Sequence, residues 1–407
     1  DEDPIEIGNM RLDDAVNLIK GPKGTKVYLT VKKVDGIIEE VEIIRDVVEL
    51  EESYAKSSLI IKDSNKYGLI ELPQFYIDFD DYSNRNAAID VKKEINQLKE
   101  KDVQGIIIDL RNNGGGSLKT VVDITGYFIK DGPVVQVKST GGRKEILRDN
   151  DSSIIWEGPL VILVNEFSAS ASEILAAALQ DYKRAIVLGS KQTFGKGTVQ
   201  NMVDLNRIIS GSTYGDLGAV KLTTDKFYRI NGGSTQLEGV KSDVVILDRY
   251  SYIDLGEKDQ ENPLSWDYIE PTTFDFWHYE IDYKSMLERS ENRMKSSQYI
   301  SLIDEQAKWV KQQQDEYDYT LNYNNLYQEK EFEKKKINKF KKLNEFESGL
   351  QFEWLPEPGK KLINKEITLR RNRWIKSLKA DFYIDEATNI LEDLNSKNYN
   401  KLAQLKK

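Results

Sequence analysis

The chain contains no cysteine. That excludes a thiolate nucleophile, thiolate-bound zinc and disulfides. It is compatible with an oxidising compartment without establishing one. Histidine is almost as scarce, with one copy, His278, in the segment TFDFWHYE. A catalytic triad built on histidine would have to recruit that residue, whose neighbours Trp277 and Tyr279 suit packing or surface exposure better. No apolar run approaches the roughly 20 residues that cross a bilayer, so no integral membrane segment is expected. The glycine-rich stretches do not match GxGxxG, which sets aside a dinucleotide site. The phosphate-loop pattern GxxxxGK[ST] fails twice around Lys196, where the chain has Ser190 and Gly197 in place of the required Gly and Ser or Thr.

What is present is a polar, soluble composition: 39% apolar and 31% charged residues, with a net charge of −10. The negative balance argues against general nucleic-acid binding. At 407 residues the chain has room for two or three domains. Its first residues, DEDPIEIGNM, are acidic and contain no signal peptide.

Residues 10–31 read as a helix followed by a strand. Leu12, Ala15, Val16 and Ile19 share a face, Asp13 and Asp14 sit in the first turn, and GPKG turns the chain into VYLTV. This order resembles the second half of a PDZ domain, without the half that carries the carboxylate-binding loop. LIIK and YGLIEL read as short strands, residues 87–101 as a polar helix, and VQGIIIDL as a strong buried strand ending in RNNGGGS. Three glycines after a strand free backbone N–H groups to face an anion, either a phosphate or a developing oxyanion. A helix over 118–129, a strand in GPVVQVKST, the run LVILV, an apolar helix from Glu173 to Gln180 and a strand over 185–189 complete an α/β layering. Its two glycine- or serine-rich turns lie at carboxyl ends of strands, where sites in such folds gather. Residues 220–247 read as β-rich and complete the core. Pro263 and Pro271 bracket a linker, and from about 283 the chain is charged and helical, with Ile303, Ala307 and Val310 on one helix face and Ile384, Ala387, Leu391 and Leu394 on another. The basic run 329–342 reads as a solvated helix face.

Three serines at period two, Ser168, Ser170 and Ser172, lie between the LVILV strand and the following helix. A serine there meets free N–H groups and the positive end of the helix dipole. With histidine nearly absent, lysine is the best remaining general base, and it must be neutral to act. At neutral pH roughly one free lysine in a thousand or fewer is uncharged. Burial can lower the pKa by as much as about 3–5 pH units, which would suffice. Lys196, between Gly195 and Gly197 and beside Phe194 and Val199, suits that role. On these residues alone an N-capping serine and a surface lysine stay open as readings.

FSASASEI, then LQDY, then TFGKGTVQ, with DLRNNGGG before and FYRINGGSTQLEGV after, closely resembles the C-terminal processing (tail-specific) proteases, a Ser-Lys peptidase family. The likeness spans most of residues 10–250 and extends more weakly into the tail, as in the long Gram-negative tail-specific type. It implies Ser170 as nucleophile, Lys196 as general base, Gln200 as the residue orienting the lysine, and a contribution from Asp181. It also implies an oxyanion hole from the backbone N–H groups of Gly116 and Ala171, with Ser168 and Ser172 structural or capping. The loop before Lys196 is one residue longer than the usual pattern.

The implied fold is α/β, a ClpP/crotonase-like layered protease core with a partial PDZ domain and a helical C-terminal domain. Its divisions would be 1–50, the C-terminal half of a PDZ domain; 51–250, the Ser-Lys protease core; and 251–407, linker and charged helical domain. The implied activity is endopeptidase cleavage of proteins recognised by apolar C-terminal tails, in the periplasm or elsewhere outside the cytoplasm. An adaptor lipoprotein is admitted as a partner, and no cofactor, metal or nucleic acid is called for. Two rivals stand beside it. A catalytically silent PDZ scaffold would only bind C-termini, and retention of serine, lysine and glutamine together speaks against it. A crotonase-type acyl-CoA enzyme would share the layered core but has no need of a Ser-Lys pair.

Overall fold

Alternating apolar faces along short β-branched runs require a second layer on each side of a sheet, and this chain supplies the two layers from different stretches. The structure is a computed structural model. It describes residues 4–8, 10–32, 38–46, 53–209, 215–277, 282–316, 318, 320–355 and 365–405. The chain divides into two units, Asp1–Glu52 and Ser53–Lys407.

In the first unit, helix α1 (Leu12–Ile19) precedes an antiparallel hairpin of β1 (Lys26–Lys32) and β2 (Ile38–Ile44). The helix, GPKG turn and strand expected from sequence all form, with Gly24 at φ 82° in the turn. Arg45 ties them together. Its guanidinium donates to the carbonyls of Leu18 and Ile19, orphaned at the helix C-terminus, and to Thr25 Oγ1.

The second unit opens with the hairpin β3 (Lys56–Lys62) and β4 (Asn65–Glu71). Then follow α2 (Ala87–Glu100), β5 (Ile106–Asp109), α3 (Leu118–Gly126), β6 (Gly132–Ser139), β7 (Lys144–Asp149) and β8 (Leu160–Val164). Next come α4 (Ala171–Asp181), β9 (Ile186–Gly189), β10 (Thr198–Asp204), the short α5 (Leu205–Ile208), β11 (Ala219–Tyr228) and the two-residue β12 (Val244–Val245). The C-terminal third forms α6 (Tyr283–Ser296), α7 (Gln298–Asp315), α8 (Tyr323–Phe340), β13 (Gln351–Trp354), α9 (Lys365–Lys379) and α10 (Phe382–Leu405). Asn86 and Ser117 cap α2 and α3 by accepting the N–H groups of Ile89 and Thr120.

Seven strands make the main sheet, in the order β12-β9-β8-β5-β4-β3-β13. β12, β9, β8, β5 and β4 run parallel, and β3 and β13 are antiparallel to their neighbours. Ile106, Ile108, Ile162 and Val187 face α2, α3 and α4 through Val91, Ile95, Val121, Ile174 and Leu175. Ile107, Val161, Leu163, Ile186 and Leu188 face the other way, onto Met286, Phe352, Leu378, Ile384, Ala387, Ile390 and Leu391. A four-stranded antiparallel sheet, β10-β11-β6-β7, stands beside this core.

Two features depart from the sequence reading. Only 220–228, within β11, and 244–245 of the segment 220–247 are strand; the FYRINGGSTQLEGV stretch beyond Tyr228 makes isolated bridges and side-chain contacts instead. The tail is not helical throughout either, because Gln351–Trp354 pairs antiparallel with Ser58–Ile61 and adds a strand to the core sheet. Among the described residues no helix is long and apolar enough to cross a membrane.

Candidate active site

The parallel strands β5, β8 and β9 are consecutive in the sheet, so their carboxyl ends release three loops side by side. β5 leads into the glycine loop (110–117), β8 into the serine turn (165–170) and β9 into the lysine loop (190–197). Spacing along the chain had placed one chemical group in each; adjacency of the strands brings them together.

Ser170 caps α4 in an uncommon backbone conformation, φ 57° and ψ −111°. A non-glycine residue rarely takes a positive φ, and such strain is held only where surroundings enforce it. The enforcement is visible. Ser168 Oγ donates to the carbonyl of Leu110 at 2.8 Å, and Ser172 Oγ donates to the carbonyl of Asn113 at 2.9 Å. The outer serines, both buried, therefore stitch the serine turn to the glycine loop, and the middle one is left half-exposed. Close approach explains Gly115: a Cβ there would lie 2.8 Å from the Ser170 Cβ. Gly115 and Gly116 also hold positive φ, 104° and 141°, where a side chain is disfavoured.

In the glycine loop the Gly115 N–H is taken by Asn113 Oδ1 and the Ser117 N–H by the Phe75 carbonyl. Gly116 lies between them with its N–H unpaired among the described residues, and the N–H of Ala171, first in α4, is likewise unpaired. Two free donors beside a serine can serve a developing oxyanion.

Glu173, which the sequence reading passed over, joins the serine and lysine loops. It is fully buried. Its Oε2 accepts the backbone N–H of Ser170 at 2.8 Å and that of Lys196 at 2.9 Å. Its Oε1 accepts Thr193 Oγ1 at 2.6 Å and the N–H of Gly195 at 2.8 Å. Burial pushes this carboxyl up to about 7, opposed by those four hydrogen bonds. A signal was available: Ser170 with glutamate three residues later has the form of a helix-capping pair. Gln236, also missed, accepts the Gly197 N–H through Oε1 at 2.8 Å, so the STQLEGV segment holds the lysine loop from its other side.

Lys196 is half-buried. Burial, and then the nearby Lys221, hold its pKa below the ordinary lysine value, with Glu257 and Glu173 opposing. Its Nζ donates to Gln200 Oε1 at 3.3 Å. Asp181 is not brought to this group. It ends α4, at the opposite terminus from Ser170, where Arg229 and Asn231 donate to its carboxylate at 2.6–3.0 Å. That ion pair ties the FYRINGGS segment to the end of the helix. His278 lies outside the described residues. No cluster of potential metal ligands occurs among the described residues.

A cleft of about 620 Å³ opens elsewhere, between the carboxyl ends of the strands and the C-terminal helices, lined in part by Asn112, Asn165, Asp248, Trp374, Asp381 and Tyr383. Neither Ser170 nor Lys196 lines it.

Residues 66–246 match the model of peptidase family S41, and residues 250–396 match that of the C-terminal domain of tail specific protease. The tail-specific protease of Haemophilus influenzae is 40% identical over 270 residues, which are 66% of this chain and 37% of that protein. The carboxy-terminal-processing protease of Bartonella bacilliformis is 34% identical over 251 residues, 60% of this chain and 52% of that one. The chain thus spans between about a third and a half of the length of these relatives. Among solved structures, the photosystem II D1 C-terminal processing protease is 26% identical, with TM-score 0.41 over 58% of this chain and 59% of that one. Within the second unit, residues 66–246 thus belong to peptidase family S41, and behind them residues 250–396 carry the C-terminal domain of the tail-specific proteases.

Proposed function

We propose that this chain is the catalytic portion of a serine endopeptidase in which Ser170 is the nucleophile and Lys196 the general base. The observation that carries the reading is the shared carboxylate of Glu173, which suspends the backbones of Ser170 and Lys196 from one oxygen. A nucleophile and base on separate loops need such a tie to hold their geometry. Ser170 Oγ attacks the peptide carbonyl as neutral Lys196 takes its proton. The oxyanion is met by the N–H groups of Gly116 and Ala171. The C–N bond breaks as the lysine returns the proton to the leaving amine, and water, deprotonated by the same lysine, hydrolyses the acyl-enzyme. Gln200 orients the amine. Asp181 acts through the fold, by its pair with Arg229.

The same reading takes residues 1–50 as the C-terminal half of a PDZ domain, 51–250 as a ClpP/crotonase-like layered core and 251–407 as linker and helical domain. Substrates are proteins with apolar C-terminal tails, met outside the cytoplasm, and an adaptor lipoprotein is a partner the family likeness admits.

The test is cleavage of a loosely folded protein bearing an apolar C-terminal tail, by wild type, Ser170→Ala and Lys196→Met across pH 6 to 10. Both variants are expected to lose cleavage with melts close to wild type. The wild-type rate should rise through one apparent pKa below 10.5, in line with the depressed lysine. Equal cleavage by all three would overturn the assignment, and collapse of Lys196→Met would make the lysine structural.

A further inference from the structure

Asn113 is fully buried between the glycine loop and the serine turn, and its polar groups reach different elements. Nδ2 donates to the carbonyl of Leu72, just past β4, at 2.8 Å, and Oδ1 accepts the Gly115 N–H at 2.9 Å. Its own carbonyl accepts twice, from the Ala169 N–H of the serine turn at 3.0 Å and from Ser172 Oγ in the first turn of α4 at 2.9 Å. Ala169 and Ser172 bracket Ser170 and Ala171. One residue therefore sets the glycine loop against the sheet on one side and against the nucleophile's turn on the other.

We propose that Asn113 is a positioning residue of the peptidase reaction, fixing the Gly116 and Ala171 N–H groups so that they converge on one oxygen. This rests on the reading of Ser170 as nucleophile. The physical need is specific. An oxyanion gains from donors that lie about 2.7–3.1 Å from where the charge develops. Here the two donors belong to loops from different strands, so their relative placement is set by the bonds between loops. By consuming the Gly115 N–H, Asn113 also leaves that of Gly116, rather than its neighbour, available to a ligand. Misplacing one donor weakens binding of the transition state more than binding of the peptide, so the loss falls on kcat rather than KM.

The experiment uses the whole chain as Asn113→Ala, Asn113→Asp, Ser172→Ala and Ser170→Ala, with active sites titrated. Two ligands are compared: a peptide aldehyde, which becomes tetrahedral on Ser170 and places an oxygen in the hole, and the same peptide with the carbonyl reduced to methylene. Asn113→Ala is expected to lower kcat per titrated site by about 10- to 100-fold, the scale of a small misplacement, with KM within about twofold. Aldehyde affinity should fall in parallel while that of the reduced peptide holds within about twofold. Asn113→Asp, which keeps the acceptor for Gly115 but loses the donor to Leu72, should fall between. Ser172→Ala removes one hydroxyl and should shift the same ratio less; it carries the test if Asn113→Ala does not fold.

A purely structural asparagine would lower the melt and the titrated fraction while leaving kcat per site and the ratio of the two affinities unchanged, and that result would overturn the proposal. Persistent cleavage by Ser170→Ala would overturn the underlying reading instead. A dead Ser170→Ala beside an unaltered Asn113→Ala would overturn this inference alone.

Discussion

The two faces of the main sheet are covered by opposite strategies. One receives α2, α3 and α4, which follow their strands closely in the chain, in the usual manner of parallel crossovers. The other receives α6, α9 and α10, and the edge beyond β3 receives β13, all from residues beyond 282. A matched pair of glycines makes the equivalence concrete. A Cβ on Gly68 would meet Leu98 of α2 at 2.6 Å, and one on Gly105 would meet Leu391 of α10 at 2.8 Å. Both helices press onto bare backbone. The C-terminal region is thus a layer of the core, docked in part through the α10 face that carries Ile384, Ala387, Leu391 and Leu394.

The largest expected effect comes from removing that layer. A chain cut after residue 250 should lose its cooperative melt and precipitate, because Ile107, Val161, Leu163, Ile186 and Leu188 would face water. A soluble, cooperatively melting fragment would break the equivalence of the two faces.

Next are Leu98→Ala and Leu391→Ala, each deleting a buried leucine on one face. Each should cost about 2–5 kcal/mol in urea unfolding, the range for such cavities. A loss under about 1 kcal/mol for Leu391→Ala alone would make the far layer a loose cover.

Smaller is the polar junction. Arg111, on the glycine loop, pairs with Asp109 at 2.6 Å and with Asp381, ahead of α10, at 2.8 Å. Asp381→Ala leaves Asp109 as a partner, so about 1–3 kcal/mol is expected, the cost of a lost charged bond. No change would show that α10 docks by apolar contact alone.

The smallest effect is a slope with pH. Burial, and then the neighbouring Asp248, push the Glu166 carboxyl up to about 8 from 4.5. Between those values the folded state holds a proton that the unfolded chain has released. Stability should therefore fall as pH rises through that window. Glu166→Gln should flatten the fall in melting temperature between pH 5 and 8. An unchanged slope would place the titration elsewhere, with Glu173 the next carboxyl to replace.

The near layer was legible because its signals are local. IIID and LVILV declare buried strands, and a helix must cross back between parallel neighbours. The far layer was legible only in part: the shared face of Ile384, Ala387, Leu391 and Leu394 is readable from helical spacing, whereas QFEW is four residues long and its partners in β3 lie nearly 300 positions away. At the site the division is similar. Ser170 and Lys196 stood out as residue types in unusual company. Glu173, Asn113 and Gln236 did not, because an ordinary buried polar side chain reveals its purpose only through what it touches. Asp181 shows the reverse: its place in a motif suggested chemistry, and the structure finds its carboxylate bonded to Arg229 and Asn231 at the far end of α4 from Ser170.

The sequence by itself determined which chemistry this chain has available. Without cysteine a thiolate nucleophile is excluded, and with one histidine lysine is the best remaining general base for a serine; the order of strands and glycine-rich turns follows from period and composition. Only the tertiary structure decided how those groups meet. The order β5, β8, β9 across the sheet sets three loops side by side, one buried carboxylate holds two of them, and a distant segment closes the core. Those are long-range contacts, and periodicity within a short window carries no trace of its partner.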